Sequence, residues 1–192
     1  MVKRLLDLFI GTLLLFLNRW QKMFKIIDNF LDKEIFLKIQ YEISTVFFAW
    51  YFQEFKDFKA SASVDKITQR DLNQYQFTHL FYDKYRPHSE SFSLLEPLLN
   101  KLKVKSLIRI KANLIPYSPK FYEGYFHTDT DHKSLTAIYY LNTNNGYTSF
   151  ETNKKKVESK ENRIVIFDSQ MKHKGTNTTD KKKRVLLNIN YF

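Results

Sequence analysis

The sequence predicts a mainly β domain, a double-stranded β-helix or jelly-roll barrel with flanking helices in its N-terminal half. Two observations support this class. Short apolar or alternating runs follow one another at close spacing from Val104 onward, as in all-β barrels. Helical periodicity is confined to the first half, at 32–44 and 91–102. The 192 residues suffice for one domain with a sizeable core and are too few for two ordinary domains.

Composition narrows the class of protein further. Aromatic residues make up 17% of the chain and suit a packed sheet, whereas only four Gly and four Pro argue against a collagen-like or disordered chain. The absence of Cys excludes disulfides and thiolate metal sites. It also agrees with a reducing compartment, so we expect a cytoplasmic protein. The net charge of +11 favours nonspecific attraction to nucleic acid or anionic surfaces but identifies no partner.

Residues 1–22 form an apolar extension that we separate from the domain at 23–192. The stretch 5–17 is mostly apolar but contains Asp7, and it is shorter than the roughly 18–20 apolar residues that a membrane span requires. No small-residue cleavage pattern follows it. We therefore expect a non-native extension or a loosely attached helix, without stable membrane insertion.

Two helices are predicted in the first half of the domain. Asp32 is placed to cap a helix that runs to about Ser44, with apolar residues at approximate helical spacing. A second helix is predicted at 91–102, where Pro97 would shorten or kink it. Both helices are expected to support the barrel.

Strands are predicted along the rest of the domain. Pro116 and Pro119 end a long alternating strand and open the loop that leads to His127. The run Asn144-Asn145-Gly146 is typical of a tight hairpin turn. The predicted strands are 47–52, 74–82, 104–115, 136–142, a short one at Val157, 164–167 and 185–189, and the polar stretch 61–70 is predicted to be a loop.

Three side chains of the second half have the types and order of a metal site. Side chains two residues apart in a strand point to the same face, so His127 and Asp129 can present a nitrogen and a carboxylate oxygen to one ion. His173 would complete the set. Two imidazoles and one carboxylate leave the opposite positions of the metal open, which suits a non-haem Fe(II) that also binds a co-substrate and O2.

Arg184, at the start of the last apolar run, is a candidate anion-binding residue. Its guanidinium is a fixed cation whose fork can pair bidentately with the far carboxylate of a dicarboxylate ligand. The alternative is that Arg184 is only the last member of the basic run 181–184.

The remaining histidines are expected to have other roles. His79 lies in an aromatic strand and is interpreted as a packed or hydrogen-bonded core residue, and His88 is expected to be exposed. His132 lies beyond Asp129 in a polar loop, so we interpret it as a surface or substrate-side residue rather than a ligand.

The order of these segments resembles a known family. The segments are His127-Thr128-Asp129, 136–142, 145–150, 164–168, His173 and Arg184. As an ordered set over roughly residues 105–192, they resemble the 2-oxoglutarate- and Fe(II)-dependent oxygenases, and within them the prolyl 4-hydroxylase-like branch. The family's Gly-Gly-Glu-Thr hairpin is altered here to Asn145-Gly146-Tyr147-Thr148, which puts substrate contacts near that hairpin in doubt.

The resemblance implies a fold, a site and a reaction. It implies the same barrel, an iron held by His127, Asp129 and His173, and turnover with 2-oxoglutarate and O2, with ascorbate as a candidate reductant. Arg184 and Tyr140 would hold the far carboxylate of 2-oxoglutarate. Asn113 or Tyr117 is a further candidate contact of the co-substrate. The products would be succinate, CO2 and a hydroxylated C–H bond.

Two other functions compete with this one. A cupin-like jelly roll that binds metal without 2-oxoglutarate explains the histidines but gives Arg184 and Tyr140 no role. An oxygenase that modifies nucleic acid fits the charge, but the nucleic-acid dealkylases carry a further arginine shortly after the carboxylate-binding one, and residues 185–190 contain none. We therefore expect a peptidyl or small-molecule substrate, whose identity the patterns do not specify, as they do not specify the oligomeric state.

Overall fold

The computed structural model describes residues 23–54 and 72–192. The predicted extension 1–22 and the predicted loop 61–70 lie outside the described residues. Within them, no helix combines the length and apolar character needed to cross a membrane.

Strands dominate the described part of the chain, as predicted. They are β1 (Phe24–Ile27), β2 (Tyr51–Gln53), β3 (Gln76–Asp83), β4 (Arg86–Pro87), β5 (Leu107–Pro116), β6 (Leu135–Tyr140), β7 (Tyr147–Phe150), β8 (Lys156–Glu158), β9 (Arg163–Asp168), β10 (His173–Gly175) and β11 (Lys183–Tyr191). The helices are α1 (Lys33–Ser44) and α2 (Glu96–Leu102), the second preceded by a 3-10 helix at Glu90–Leu95.

The strands form two antiparallel sheets. The 8-stranded sheet has the order β1-β9-β6-β11-β5-β3-β2, with β4 on β3, and the 3-stranded sheet has the order β10-β7-β8. One apolar cluster joins the sheets, since it includes Tyr140, Phe167 and Leu186 from the large sheet and Phe150 and Val157 from the small one. The jelly-roll barrel predicted from the sequence is thus confirmed.

The helices cover the other face of the large sheet. The buried residues of α1, Phe36, Ile39 and Ile43, belong to the same apolar cluster as Tyr139 and Leu187 of the sheet. Because side chains alternate along a strand, β5 and β11 present one set of residues to the helices and the other set to the barrel interior. The interior set includes Asn113 of β5 and Arg184 of β11.

Two helix predictions need adjustment. Asp32 precedes α1, but its side chain makes no capping hydrogen bond. The predicted helix at 91–102 is divided into the 3-10 helix and α2, and Pro97 stands in the first turn of α2. A proline is tolerated there because the first N–H groups of a helix have no partner within it.

The structure also differs from two strand predictions. The strand predicted at 47–52 is reduced to β2, since a turn follows α1 and leaves Phe47 93% exposed. The turn at Asn144-Asn145-Gly146 is not a hairpin, because it connects β6 of the large sheet to β7 of the small sheet and these two strands are not paired. It carries the chain across the barrel, next to Arg184.

Candidate functional site

The structure brings the three predicted metal ligands together. One ligand atom from each of His127, Asp129 and His173 can be chosen so that all lie within 4.8 Å of one another. Nε2 of His173 is 3.2 Å from Oδ2 of Asp129, and Nε2 of His127 is 3.7 Å from Oδ1. Ligands bound to one ion at about 2.0–2.1 Å, at right angles to one another, would be about 3 Å apart. The cluster therefore has the dimensions of a single-ion site.

The backbone around the histidines is less regular than a continuous strand through His127 and Asp129 would be. His127 does not lie in a long strand, but forms an isolated antiparallel bridge with His173, the first residue of β10. Their backbones exchange two hydrogen bonds, each 3.0 Å long. Asp129 lies in a bend two residues later. The pairing of these two short segments, rather than strand periodicity alone, sets the separation of the imidazoles.

Backbone carbonyls orient both imidazoles. Nδ1 of His127 is 2.9 Å from the carbonyl oxygen of Tyr125, and Nδ1 of His173 is 3.2 Å from that of Met171. A carbonyl oxygen only accepts, so each Nδ1 carries the proton. Each Nε2 is then the nitrogen that faces Asp129. It can donate a proton to that carboxylate while the ring is protonated, and it can bind a metal through its lone pair once the ring is neutral.

Asn188 holds the Asp129 carboxylate, and Arg109 approaches it at a longer distance. Asn188 of β11 donates a hydrogen bond from Nδ2 to Oδ2 at 2.9 Å, and Nη2 of Arg109 on β5 is 3.5 Å from Oδ1. Burial alone would raise the pKa of this carboxyl, but the charge and hydrogen bond of His173, with His127 and Asn188, outweigh burial and hold the pKa below its usual range. The residue is therefore an anion.

The chemistry of this donor set fits Fe(II). Two neutral imidazoles and one carboxylate form the facial set that non-haem Fe(II) oxygenases use. Each donor also has the outer partner that a metal ligand requires, namely the carbonyls of Tyr125 and Met171 and the side chain of Asn188. These partners are two backbone carbonyls and a buried side chain.

Arg184 is buried at one end of the cavity that the cluster opens into. Its side chain donates from Nε to Ser159 Oγ at 2.7 Å, from Nη1 to the carbonyl oxygen of Thr176 at 3.0 Å, and from Nη2 to Thr148 Oγ1 at 3.0 Å. Burial lowers the pKa of this guanidinium. Among the described residues that line the cavity, only Asp129 is a carboxylate. An anionic ligand would therefore offset the cost of burying the Arg184 charge.

Tyr140 lies beside Arg184, and Thr148 links the two, although Tyr140 is not itself among the residues that line the cavity. The Tyr140 hydroxyl donates to Thr148 Oγ1 at 2.8 Å, and the guanidinium carbon of Arg184 is 5.6 Å from the centre of the Tyr140 ring. Burial raises the pKa of Tyr140, so its hydroxyl remains a donor. Thr148 accepts from both residues, which leaves its own hydroxyl proton for a third acceptor in the cavity.

The structure distinguishes Asn113 from Tyr117, the two further candidate contacts of the co-substrate. Asn113 of β5 lines the cavity and donates from Nδ2 to Gln76 Oε1 at 2.8 Å, while its Oδ1 is buried and has no hydrogen-bond partner. Tyr117 is 51% exposed and does not line the cavity. Asn113 is therefore the better placed of the two to contact a ligand.

Four residues near the site were not identified from the sequence. Arg109, Asn188 and Gln76 occupy alternating positions on strands, but any polar residue in a strand has that pattern. Thr148 could have been identified more easily from the sequence, since it lies in the altered hairpin motif 145–148. Its partners come from β6 and β11, so its role depends on how the two sheets pack.

The other histidines lie outside the metal cluster. His79 is nearly buried, and its ring nitrogens are each 2.7 Å from a partner, the Ala49 carbonyl oxygen and Ser89 Oγ. This agrees with a hydrogen-bonded core histidine. His88 and His132 are not buried, and neither belongs to the cluster of possible metal ligands.

The chain is similar to proteins of known family. A family model described as the 2OG-Fe(II) oxygenase superfamily matches residues 75–192. Comparison with curated protein sequences finds no match.

Several solved structures share the fold at low identity. A prolyl hydroxylase from Trichoplax adhaerens, solved with a hypoxia inducible factor oxygen degradation domain peptide fragment, is 16% identical with a TM-score of 0.57, over 88% of this chain and 83% of that chain. A viral collagen prolyl hydroxylase from Paramecium Bursaria Chlorella virus-1, in complex with 2OG, is 16% identical with a TM-score of 0.54, over 88% and 95%. The non-heme alpha ketoglutarate dependent epimerase SnoN from nogalamycin biosynthesis is 10% identical with a TM-score of 0.62, over 90% and 78%.

Proposed function

The chain belongs to the 2OG-Fe(II) oxygenase superfamily, and on this premise we propose that it hydroxylates a C–H bond of a peptidyl or small-molecule substrate. The protein is a 2-oxoglutarate-dependent dioxygenase that uses Fe(II), 2-oxoglutarate and O2. Hydroxylation would release succinate and CO2. One observation carries the residue assignment: a cavity bounded by the His127, Asp129 and His173 cluster also contains the buried cation Arg184.

The metal end of the cavity would position the reaction. In this proposal His127, Asp129 and His173 hold the iron, which, with 2-oxoglutarate and O2 bound, supplies the oxidising power. The carbonyls of Tyr125 and Met171 keep the imidazole protons on Nδ1, and Asn188 holds Oδ2 of Asp129. These contacts keep the donor atoms directed at one point before any ligand arrives, which lowers the cost of assembling the site.

The other end of the cavity would bind the far carboxylate of 2-oxoglutarate. Arg184 uses each of its three nitrogens in one hydrogen bond to the protein, so N–H groups on Nη1 and Nη2 remain for a ligand. The Thr148 hydroxyl supplies one more donor beside them. Charge-assisted pairing with a guanidinium is stronger and more directional than pairing with neutral groups, which suits the recognition of a dicarboxylate.

Two of the similar structures bear on the class of substrate. The Trichoplax prolyl hydroxylase was solved with a peptide, and the SnoN epimerase belongs to nogalamycin biosynthesis, so peptidyl and small-molecule substrates both remain in the proposal. Nucleic acid is not favoured, because no second arginine follows Arg184 in residues 185–190.

Succinate formation tests the proposal. Purified protein incubated with Fe(II), ascorbate and 2-oxoglutarate is expected to release succinate, since family members often turn over slowly without their substrate. His173→Ala is expected to abolish this release while the barrel stays folded. If the wild type neither forms succinate nor binds 2-oxoglutarate in the presence of Mn(II), the proposed function is wrong.

A further inference from the structure

Arg109 is a cation beside the metal cluster whose presence neither the metal nor 2-oxoglutarate explains. It lies on β5, two positions before Lys111, so strand alternation places it on the face that carries the cavity-lining Lys111, Asn113 and Ile115. Its partner in the register of β5 and β11 is Asn190, and its side chain is 27% exposed. Arg109 therefore continues the row of cavity residues toward solvent, past the metal ligands.

The guanidinium of Arg109 makes only long contacts with the described residues. A single nitrogen, Nη2, reaches Asp129, at 3.4 Å from the backbone oxygen and 3.5 Å from Oδ1. Both distances are long for charge-assisted hydrogen bonds. Nε is buried and has no hydrogen-bond partner. The fork that makes arginine suited to carboxylates is thus left open.

The charges in and beside the cavity also favour an anionic substrate. Among the described residues that line the cavity, Asp129 is the only carboxylate, and its charge is needed by the divalent ion. Arg184 would be matched by the far carboxylate of 2-oxoglutarate. With both bound, the weak pairing of Arg109 with Asp129 is weakened further, because the metal draws on the same carboxylate. Lys111 adds a further positive charge to the lining, so an anionic group on the substrate would offset an excess of positive charge.

A buried acceptor belongs to Asn188, the residue that contacts the other carboxylate oxygen of Asp129. Asn188 lines the cavity, and because its Nδ2 donates to Asp129, its Oδ1 is the atom left for another group. That Oδ1 is buried without a hydrogen-bond partner, in a side chain of a residue only 7% exposed. A buried acceptor without a partner is costly, so it is expected to receive an N–H or O–H from a ligand.

We propose that Arg109 and Asn188 bind the α-carboxylate of the primary substrate and the N–H group next to it. The ligand chemistry is therefore a carboxylate flanked by N–H, as in a free amino acid or the C-terminal residue of a peptide. Arg109 Nη2 lies 3.5 Å from Oδ1 of Asp129, a proposed ligand of the metal. The oxidised C–H bond then belongs to the same residue that carries the carboxylate. This inference rests on the proposed function and specifies its substrate.

Ligand retention by the loaded protein tests this inference. Full-length protein with Mn(II) and 2-oxoglutarate, kept anaerobic, is mixed with the common L-amino acids, or with N-acetylated tetrapeptide pools ending in a free carboxylate or in an amide. Native mass spectrometry reads which ligands stay bound. We expect free amino acids or carboxylate peptides to be retained at least about tenfold more than amides. Comparing free amino acids with the carboxylate peptides shows which of these two kinds of ligand the site binds.

Variants separate substrate binding from a structural role. Arg109→Gln is expected to remove the preference for carboxylates, and Arg109→Lys to restore part of it, because lysine keeps the charge without the fork. If Arg109 only steadied Asp129, Arg109→Gln would weaken Mn(II) binding; the proposal expects no weakening, because a cation is removed from beside a divalent ion. Arg86→Gln, at an exposed arginine on β4, is the matched control.

Four outcomes would overturn the inference. They are equal retention of acids and amides, retention of neither, an unchanged carboxylate preference in Arg109→Gln, and weakened Mn(II) binding in that variant. Titration of Mn(II) and 2-oxoglutarate into the wild type is carried out first. If neither binds, the proposed function fails; if both bind and the carboxylate preference is absent, only the assignment of Arg109 and Asn188 fails.

Discussion

Arg184 and Tyr140 converge on one hydroxyl group. Nη2 of Arg184 and the phenol of Tyr140 both donate to Oγ1 of Thr148, at 3.0 and 2.8 Å. The three residues come from β11, β6 and β7, so the contact joins the large sheet to the small one. The far end of the cavity is therefore assembled by the packing of the two sheets, before any ligand binds.

Replacing Arg184 by lysine tests the co-substrate end of the site. A lysine offers a point charge and cannot reproduce the three hydrogen bonds of the guanidinium together with a forked contact to a carboxylate. We expect Arg184→Lys to weaken 2-oxoglutarate binding by at least about tenfold, or ~1.4 kcal/mol. Calorimetric titration into anaerobic Mn(II)-loaded protein measures this. Mn(II) affinity should stay nearly unchanged, and Lys182→Met, at an exposed lysine, should alter neither. Equal 2-oxoglutarate affinities would make Arg184 only the end of a basic run.

Gly146 is predicted to be indispensable for the position of Arg184. A Cβ at residue 146 would lie 2.6 Å from the Asn177 carbonyl oxygen, 2.7 Å from Cδ of Arg184 and 2.8 Å from Oδ1 of Asn144. Since the nearest of these atoms is backbone, Gly146→Ala is expected to cost about 1–3 kcal/mol of unfolding free energy. It should also weaken 2-oxoglutarate binding by displacing Arg184.

Urea unfolding and a 2-oxoglutarate titration measure the two effects of Gly146→Ala. Thr152→Ala, at an exposed turn residue, is the control and should leave both quantities unchanged. A Gly146→Ala protein with wild-type stability and affinity would show that the crossing between the sheets adapts without cost.

Asn188 is predicted to raise metal affinity without binding the metal. Its Nδ2 holds Oδ2 of Asp129 at 2.9 Å, and outer partners of this kind typically change metal affinity by about 10–100-fold. We expect Asn188→Ala to weaken Mn(II) binding by about tenfold or more, measured by the electron paramagnetic resonance signal of free Mn(II). Asn153→Ala, at an exposed asparagine, should bind as the wild type does. An unchanged affinity in Asn188→Ala would mean that the histidines alone orient Asp129.

An ion pair near the N-terminal edge of the large sheet is predicted to make stability depend on pH. Asp28 accepts hydrogen bonds from Arg163 Nε at 2.6 Å and Nη2 at 3.1 Å, and from Lys160 Nζ at 2.9 Å. The hydrogen bond from Arg163, followed by that from Lys160, holds the pKa of the Asp28 carboxyl well below its usual range. The folded state therefore binds this proton more weakly than the unfolded state does.

The sign of the pH effect follows from that depressed pKa. The pair contributes its full stability above the unfolded pKa of about 3.9, and the contribution is lost as pH falls toward the folded value. Since the pair is partly exposed, we expect Asp28→Asn to lower the unfolding free energy by ~0.5–1 kcal/mol at neutral pH. The difference from wild type should shrink below about pH 4 in urea unfolding curves. Glu42→Gln, at an exposed carboxylate of α1, is the control, and a difference that persists in acid would contradict the assignment.

The class of fold and the residue types of the candidate site could be predicted from the sequence. Alternating short strands indicated the barrel, because side chains of period two bury one face of a sheet. The order of His127, Asp129, His173 and Arg184 indicated a metal and an anion, because ligand preferences depend on residue type. Tyr140 entered through the resemblance of its segment to a family. Each of these inferences uses information that lies within a few residues or in residue chemistry.

The groups that support the candidate site could be identified only from the folded chain. Asn188 reaches Asp129 across 59 positions of sequence, and Arg184 reaches Thr148 across 36. Such contacts depend on the register of β11 between β5 and β6 and on the packing of the small sheet. The same packing turned the Asn145-Gly146 signal, typical of a hairpin, into a crossing between sheets, because Gly146 must admit Arg184. A turn motif is a local preference, whereas its partners are set by the chain that folds against it.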